Sequence, residues 1–326
     1  MIDSSVRIGN LELKNRLVMP PMQTDRSDLG HVTDAMVQYY ADRALYSSPG
    51  LIISEHCCIS EQGRASRNQL SIAEDWCIAE HRRVTDAIHA SGSCAFIQLN
   101  HAGNAAEPLD GGELVSASNV RALRKTGTPV PRPMTAEEIG ALQQCFADAA
   151  ERALAAGYDG VEIHSAHGYL LNQFYSPLTN RRDDQYGSGN MENRLRFLLE
   201  TVAAVRNRIG LEIPLAVRLG GADYMEGGST EEDAVAACVL LEKAGVDLLD
   251  ISGGMCGYVR KGHSEPGYFG SMTEKIKAAV SIPVLLTGGV KTPDEADALL
   301  CTGKADLIGV GRALFRDAHW RENSRK

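Results

Sequence analysis

Tyr158-Asp159-Gly160-Val161-Glu162-Ile163-His164-Ser165-Ala166-His167-Gly168-Tyr169 reads as a short strand opening into a polar loop. The strand, over 159–163, follows a helix end at Ala155-Ala156-Gly157 and is apolar at alternate positions. The loop carries two histidines and a tyrosine, then Asn172, Gln173, Asn180 and Arg194. Loops at strand ends carry function because the scaffold holds them while their side chains stay accessible. A single histidine there is more often a satisfied structural residue. Two at this spacing beside a tyrosine form a candidate site.

Outward from this unit the same rhythm repeats. Seven more short apolar runs occupy 17–19, 51–54, 94–99, 215–218, 247–251, 284–286 and 306–310. Helical stretches alternate with them at 33–45, 76–89, 135–156, 191–208, 230–244, 271–280 and 293–300, and another opens at Arg312. Thr33 is a plausible N-cap, and Thr135-Ala136-Glu137-Glu138 is a capping-box signature. Strands alternating with helices imply parallel pairing. Alternation alone does not separate a barrel from an open sheet. Eight strands in 326 residues favour a (β/α)8 TIM barrel, read as one domain over 1–326. A hairpin over 6–13 is expected to close the bottom of the fold. The long irregular loop over 101–133, after the third strand, is expected to be functional.

Composition narrows the classes. A net charge of -9 argues against nucleic acid or an anionic membrane as partner. No apolar run is long enough to span a membrane, and the first residues do not form a signal peptide. Eight cysteines without a Cys-x-x-Cys pair read as reduced thiols in a cytoplasmic enzyme. They do not supply the well-placed thiolate set of an iron–sulfur cluster, so none is expected in this chain.

In a barrel of this kind the active site lies at the C-terminal strand ends. Chemistry-bearing residues collect at those positions: Pro20-Pro21-Met22-Gln23-Thr24, Glu55-His56, Gln98 with Asn100 and His101, His164 and His167, Arg218 with Asp223-Tyr224, Ser252-Gly253-Gly254, Thr287-Gly288-Gly289 and Gly311-Arg312. Glycine turns after the seventh and eighth strands favour a phosphate, because the backbone N–H groups can approach an anion closely. Two turns that merely close loops are the alternative. Arg312 adds a charge there. Arg218 needs a partner, since a buried unpaired charge is costly. That partner is either a carboxylate, Glu162 or Asp250, or an electron-rich ligand atom. Gln98 suits an amide-like ring edge. Together these residues describe a large heterocyclic phosphate ligand, and flavin mononucleotide (FMN) has that shape.

Other chemistries fit less well. His164 and His167 lack an obvious third zinc ligand and helical i, i+4 spacing. No predicted strand ends in a Schiff-base lysine; Lys261 and Lys304 lie in loops. A flavin-independent, phosphate-binding isomerase or lyase using His and Tyr as acid and base stays open, as does a truncated, non-catalytic flavin-binding barrel.

The chain resembles the Old Yellow Enzyme family of flavin-dependent oxidoreductases, including the barrel domain of 2,4-dienoyl-CoA reductase-like proteins. The resemblance runs from Leu13-Lys14-Asn15-Arg16 and Pro21-Met22 through Gln98-Leu99-Asn100-His101-Ala102-Gly103. It is densest at His164-x-Ala-His167-Gly-Tyr169-Leu-x-x-Gln173-Phe-x-Ser-Pro177 and Asn180-x-Arg-x-Asp-x-Tyr186-Gly187. It ends at Thr287-Gly288-Gly289 and Gly311-Arg312. The resemblance implies an ene-reductase that uses FMN, with NAD(P)H as reductant, on small-molecule α,β-unsaturated carbonyl compounds. Pro21, Met22 and His56 would line the isoalloxazine, and Gln98 would bond its pyrimidine edge. Arg218 would sit near N1 and O2. Gly288, Gly289, Gly311 and Arg312 would hold the phosphate, with Gly254 among the cofactor-binding residues. His164 and His167 would bind the substrate carbonyl, and Tyr169 would donate the proton. No metal is implied, and a homo-oligomer is compatible because such barrels often pair. Departures are Gln23 after Pro-Met, His56 in place of a small residue, and Tyr186-Gly187-Ser188-Gly189. The chain also stops at Lys326, before the iron–sulfur segment and second domain of longer relatives, so a natural single-domain form or a truncated barrel is expected.

Overall fold

A computed structural model describes residues 1–324. The chain opens with an antiparallel hairpin of β1 (Val6–Ile8) and β2 (Leu11–Leu13). Eight parallel strands then close on themselves: β3 (Leu17–Met19), β4 (Leu51–Cys58), β5 (Cys94–Asn100), β8 (Gly160–Ser165), β9 (Leu215–Ala222), β10 (Leu248–Gly253), β11 (Val284–Thr287) and β12 (Leu307–Gly309). Two-residue strands β6 (Val115–Ser116) and β7 (Arg132–Pro133) pair within the long loop after β5. Barrel neighbours follow chain order, with β12 pairing back onto β3.

The helices that separate the strands are α1 (Asp34–Asp42), α2 (Cys77–His89), α3 (Ala136–Ala155), α4 (Leu170–Tyr175), α5 (Met191–Ile209), α6 (Glu231–Lys243), α7 (Gly270–Lys277), α8 (Pro293–Cys301), α9 (Arg312–Arg316) and α10 (Trp320–Asn323). Their starts are written locally. Thr33 caps α1, and Thr135 forms the expected capping box with Glu138. Thr230 with Asp233 and Thr292 with Glu295 repeat that device. Each satisfies backbone donors that a helix start leaves without partners.

The hairpin plugs the bottom of the barrel. Ile8 and Leu13 pack with Val18, Leu51, Ile53, Phe96, Ala216, Leu248, Leu285 and Leu307 in one fully buried cluster. Burying a Leu or Ile side chain is worth roughly 1.5–3 kcal/mol, so this layer is a main source of stability.

Strand limits differ from the expected ones where function sits. The second barrel strand continues past Ser54 to Cys58, so Glu55 and His56 lie inside it. The fifth continues past Arg218 to Ala222, which places Arg218 in mid-strand. His164 likewise belongs to β8. Neighbour pairing sustains these extensions, although each includes polar residues that local pattern reading treats as a strand end. α4 and a π turn at Arg43–Ser47 were not legible either.

Candidate active site

Side chains of a strand alternate between its two sides, and register carries that alternation across the barrel. Above the apolar layer the inward positions turn polar. His56, Gln98 and Glu162 lie side by side in register, and His164, Arg218 and Asp250 form a second row. Both rows point toward the C-terminal mouth.

His56 reaches that row through a β-bulge. Ser54 pairs with Ile97 and His56 with Gln98, which leaves Glu55 as the extra residue. Glu55 turns to the outer side, where its carboxylate accepts the Thr24 N–H (2.9 Å) and the Thr24 hydroxyl (2.7 Å). The Tyr40 hydroxyl lies 3.4 Å from it. Burial pushes the Glu55 carboxyl up to about 7. Two adjacent residues thus serve different ends: Glu55 anchors the loop after β3, and His56 faces the mouth.

The inner rows form a charged cluster. The Gln98 amide donates to Glu162 Oε1 at 2.8 Å. Arg218 Nε lies 3.2 Å from Asp250 Oδ2. Burial raises both carboxyls; the Asp250 charge raises Glu162 further, and Arg218 opposes the rise at both. Asp250, at ion-pair distance, is the counter-ion of Arg218. Both partners anticipated for Arg218 lie around it, but the one at ion-pair distance is Asp250.

Three rings converge above. His164 lies 5.1 Å from His167 and 5.3 Å from Tyr169 between ring centroids. His56 lies 5.5 Å from Tyr169 and 6.2 Å from His164. Burial first, then neighbouring positive or ionisable groups, holds His164 and His167 well below the usual imidazole range. His56 is lowered to about 4 by burial and Arg218. The histidines are neutral donors or acceptors at neutral pH. Burial also raises the Tyr169 phenol, which keeps its proton.

The loop is braced internally. His167 has φ +61°, uncommon for a residue with a side chain. Its Nε2 is 2.7 Å from Ser252 Oγ, and Arg124 donates to its carbonyl oxygen at 3.0 Å. Asn172 accepts the Gly168 N–H (2.8 Å), and Gln173 donates to the Gly168 carbonyl (2.7 Å). Asn180 donates to the carbonyls of Phe174 and Tyr186. The polar residues after Tyr169 are buried braces that hold its backbone in place. A cavity of about 220 Å³ adjoins the rings, bounded by His167, Gly168, Tyr169, Arg124, Lys125 and Met255.

At the opposite rim Gly288 (φ +153°) and Gly289 (φ +74°) adopt backbone conformations that favour glycine. A Cβ on Gly288 would come within 2.8 Å of the Tyr268 ring. Gly311 begins α9, and a Cβ there would meet Met22 Sδ at 3.2 Å, so the loops after the first and eighth strands touch. Pro21 is half-buried beside Met22, and Arg312 is exposed. Gly254, expected among the cofactor-binding residues, also has a packing role. Its N–H donates to the Ala222 carbonyl (2.9 Å), and a Cβ would collide with Asp223 Oδ1. Asp223 itself is a structural hub that accepts from Ser176, Ser229 and Met255.

Whether these residues suit FMN can be judged from the polar atoms they leave without protein partners. Asn100 Oδ1, Glu162 Oε2, His164 Nδ1 and Thr287 Oγ1 are buried and have no hydrogen-bond partner among the described residues, all on inward positions of the mouth half. Each such atom costs about 1–3 kcal/mol. A flat ligand rich in donors and acceptors, with an anionic end at the glycine rim, answers that set. The residues fit FMN.

Sequence reasoning missed Gln69, whose amide nitrogen lies 2.7 Å from His56 Nδ1, Ser252 as the partner of His167, and Arg124. Ser252 was visible as a strand end. Gln69 and Arg124 lie in irregular segments where no local pattern points to the mouth.

A closed parallel barrel with neutral histidine donors over an arginine–amide floor defines a cofactor-binding (β/α)8 enzyme. The chain belongs to the NADH:flavin oxidoreductase / NADH oxidase family, which it matches over residues 4–326. It is 38% identical over 331 residues to an NADH oxidase of Thermoanaerobacter brockii, covering 99% of this chain and 50% of that protein. It is 38% identical over 323 residues to an NADPH dehydrogenase of Geobacillus sp., covering 98% and 92%. Among solved structures, a 2-naphthoyl-CoA reductase complex superposes with a TM-score of 0.92 at 27% identity, over 99% of this chain and 51% of that one. The old yellow enzyme homologue from Zymomonas mobilis superposes at 0.83 with 32% identity, over 96% and 89%. The chain thus spans about half the length of the first relative and nearly all of the second. The Old Yellow Enzyme resemblance and the barrel expected from the sequence are both borne out. No helix among the described residues is long and apolar enough to cross a membrane.

Proposed function

We propose that this barrel is an FMN-dependent ene-reductase that oxidises NAD(P)H and reduces the alkene of small α,β-unsaturated carbonyl compounds. The observation that carries the reading is the convergence of His164, His167 and Tyr169, with ring centroids 5.1 and 5.3 Å apart, over Arg218 and Gln98. When bound, FMN supplies hydride chemistry, passing two electrons from the nicotinamide to the substrate β-carbon. Gln98, Arg218 and the rim at Gly288, Gly289, Gly311 and Arg312 hold it, and Pro21 and Met22 line its edge. His164 and His167 donate to the substrate carbonyl oxygen and stabilise the negative charge that grows there. Being neutral, they hold that oxygen without protonating it. Tyr169 then gives its phenolic proton to the α-carbon, so hydride and proton together saturate the double bond. The eight free thiols suit a reducing, cytoplasmic setting.

The test is spectroscopic. The purified chain should take up FMN, and phenol should perturb the flavin absorbance in the wild type but not in His164→Ala/His167→Ala. A colourless protein that ignores FMN would sink the reading.

A further inference from the structure

His56 is an imidazole at the mouth whose tautomer is dictated by the surrounding protein. The chain of constraint starts at a backbone group. Ala65 N–H can only donate, and it donates to Gln69 Oε1 at 2.6 Å. The other end of that amide is therefore NH2, and it lies 2.7 Å from His56 Nδ1. An NH2 group only donates, so His56 Nδ1 must accept. Asn100 Nδ2, 3.2 Å from the same nitrogen, adds a second donor. The ring is neutral, so its proton resides on Nε2. With Nδ1 turned to Gln69 and Asn100, the Nε2 edge is left for the mouth, where Tyr169 and His164 are the ring's aromatic neighbours. Among the described residues Nε2 has no protein hydrogen-bond partner, although the residue is only 8% exposed. Gln69 is fully buried and makes the contact from outside the ring of site residues.

We infer that His56 is a specificity-determining residue: a third, Nε2–H donor beside His164 and His167 that favours alkenes bearing a second acceptor over those with a single carbonyl. Gln69 is its positioning residue. The inference rests on the ene-reductase reading and adds the class of substrate that site would prefer. One carbonyl of such a substrate lies between His164 and His167, and the second meets His56 on the Tyr169 side. Reaction balance is unchanged, with one hydride and one proton added across the alkene.

The test compares maleimide, with a carbonyl on each side of its alkene, with 2-cyclohexenone, which has one. The ratio of their kcat/KM values is measured on the FMN-loaded full chain. In H56A the ratio should fall about tenfold, the scale of one lost hydrogen bond, mainly through KM for maleimide. In H56Q, whose amide still donates, it should return to within about threefold of the wild-type ratio. Q69L frees Nδ1 to carry the proton and should lower the ratio by about threefold or more. An unchanged ratio in both H56A and Q69L overturns the inference, even where total activity falls. Independently, 15N–1H correlation of the wild-type imidazoles should show His56 as the Nε2–H tautomer, and an Nδ1–H signature overturns it. Failure of the FMN-loaded wild type to reduce either compound overturns the functional reading itself, an outcome distinct from reduction with an unaltered ratio.

Discussion

The two ends of the barrel interior are built from the same strands under opposite rules. At the bottom, residues such as Leu51, Ile53, Leu248 and Leu285 meet the hairpin's Ile8 and Leu13 in a dry layer without polar atoms to satisfy. A few residues higher, the same inward column holds His56, Glu162, His164, Arg218 and Asp250, and Glu162 and His164 each have a polar atom with no hydrogen-bond partner among the described residues. The lower end gains burial energy, and the upper end costs it. Stability is concentrated at one end so that reactive groups can be held, desolvated and incompletely paired, at the other. The buried braces Asn172, Gln173 and Asn180 extend that logic to the loop, where they fix the backbone that presents Tyr169 and His167.

That contrast can be broken by experiment. The largest effect is expected at the top, on rate. H164A/H167A should lower kcat/KM by about a thousandfold, since a single lost donor of this kind costs about 10²–10³. Its unfolding free energy should change by no more than about 1 kcal/mol, because the lost His167–Ser252 contact is offset by removal of the unpaired His164 Nδ1. A marked loss of stability would mean that these histidines are structural. At the bottom the signs reverse. Leu285→Ala should cost about 2–5 kcal/mol in urea unfolding while the folded fraction keeps its turnover.

Titration sharpens the comparison further. His56 and His81 are both lowered to about 4, chiefly by burial, against an ordinary value near 6.5. A depressed folded value stabilises above the unfolded pKa and is lost as pH falls toward the folded one. Each therefore withdraws up to roughly 3 kcal/mol between pH 6.5 and 4. His101, His164 and His167 shift in the same direction. The melting temperature should drop steeply below pH 6.5, and a flat profile from pH 7 to 5 would contradict the buried, neutral assignment. Glu55 has the opposite sign. Its folded value is raised to about 7, so its contribution is present below about 4.5 and is lost as pH rises through 7. The Glu55→Gln variant should therefore gain about 2 kcal/mol relative to wild type on going from pH 5 to pH 8, the smallest of these effects. Equal stability differences at the two pH values would show that Glu55 is ionised throughout.

The sequence by itself determined more than the strand count. Apolar runs placed all eight barrel strands, and Thr135 with Glu138 placed a helix start, because period and capping are local properties. Strand order then put His164, Arg218, Gln98 and the glycine turns at one end, and that end is where they lie. Tertiary structure alone decided what depends on register and on distant partners. A single extra residue in β4 sends Glu55 outward to Thr24 and His56 inward, a choice that adjacent polar residues do not announce. Gln69 sets the His56 tautomer, Ser252 holds His167, and Asp223 claims the space that makes Gly254 a glycine. The physical reason is the same in each case. Hydrogen-bond geometry and close packing act over a few ångströms in space, whereas local sequence patterns report only neighbours along the chain.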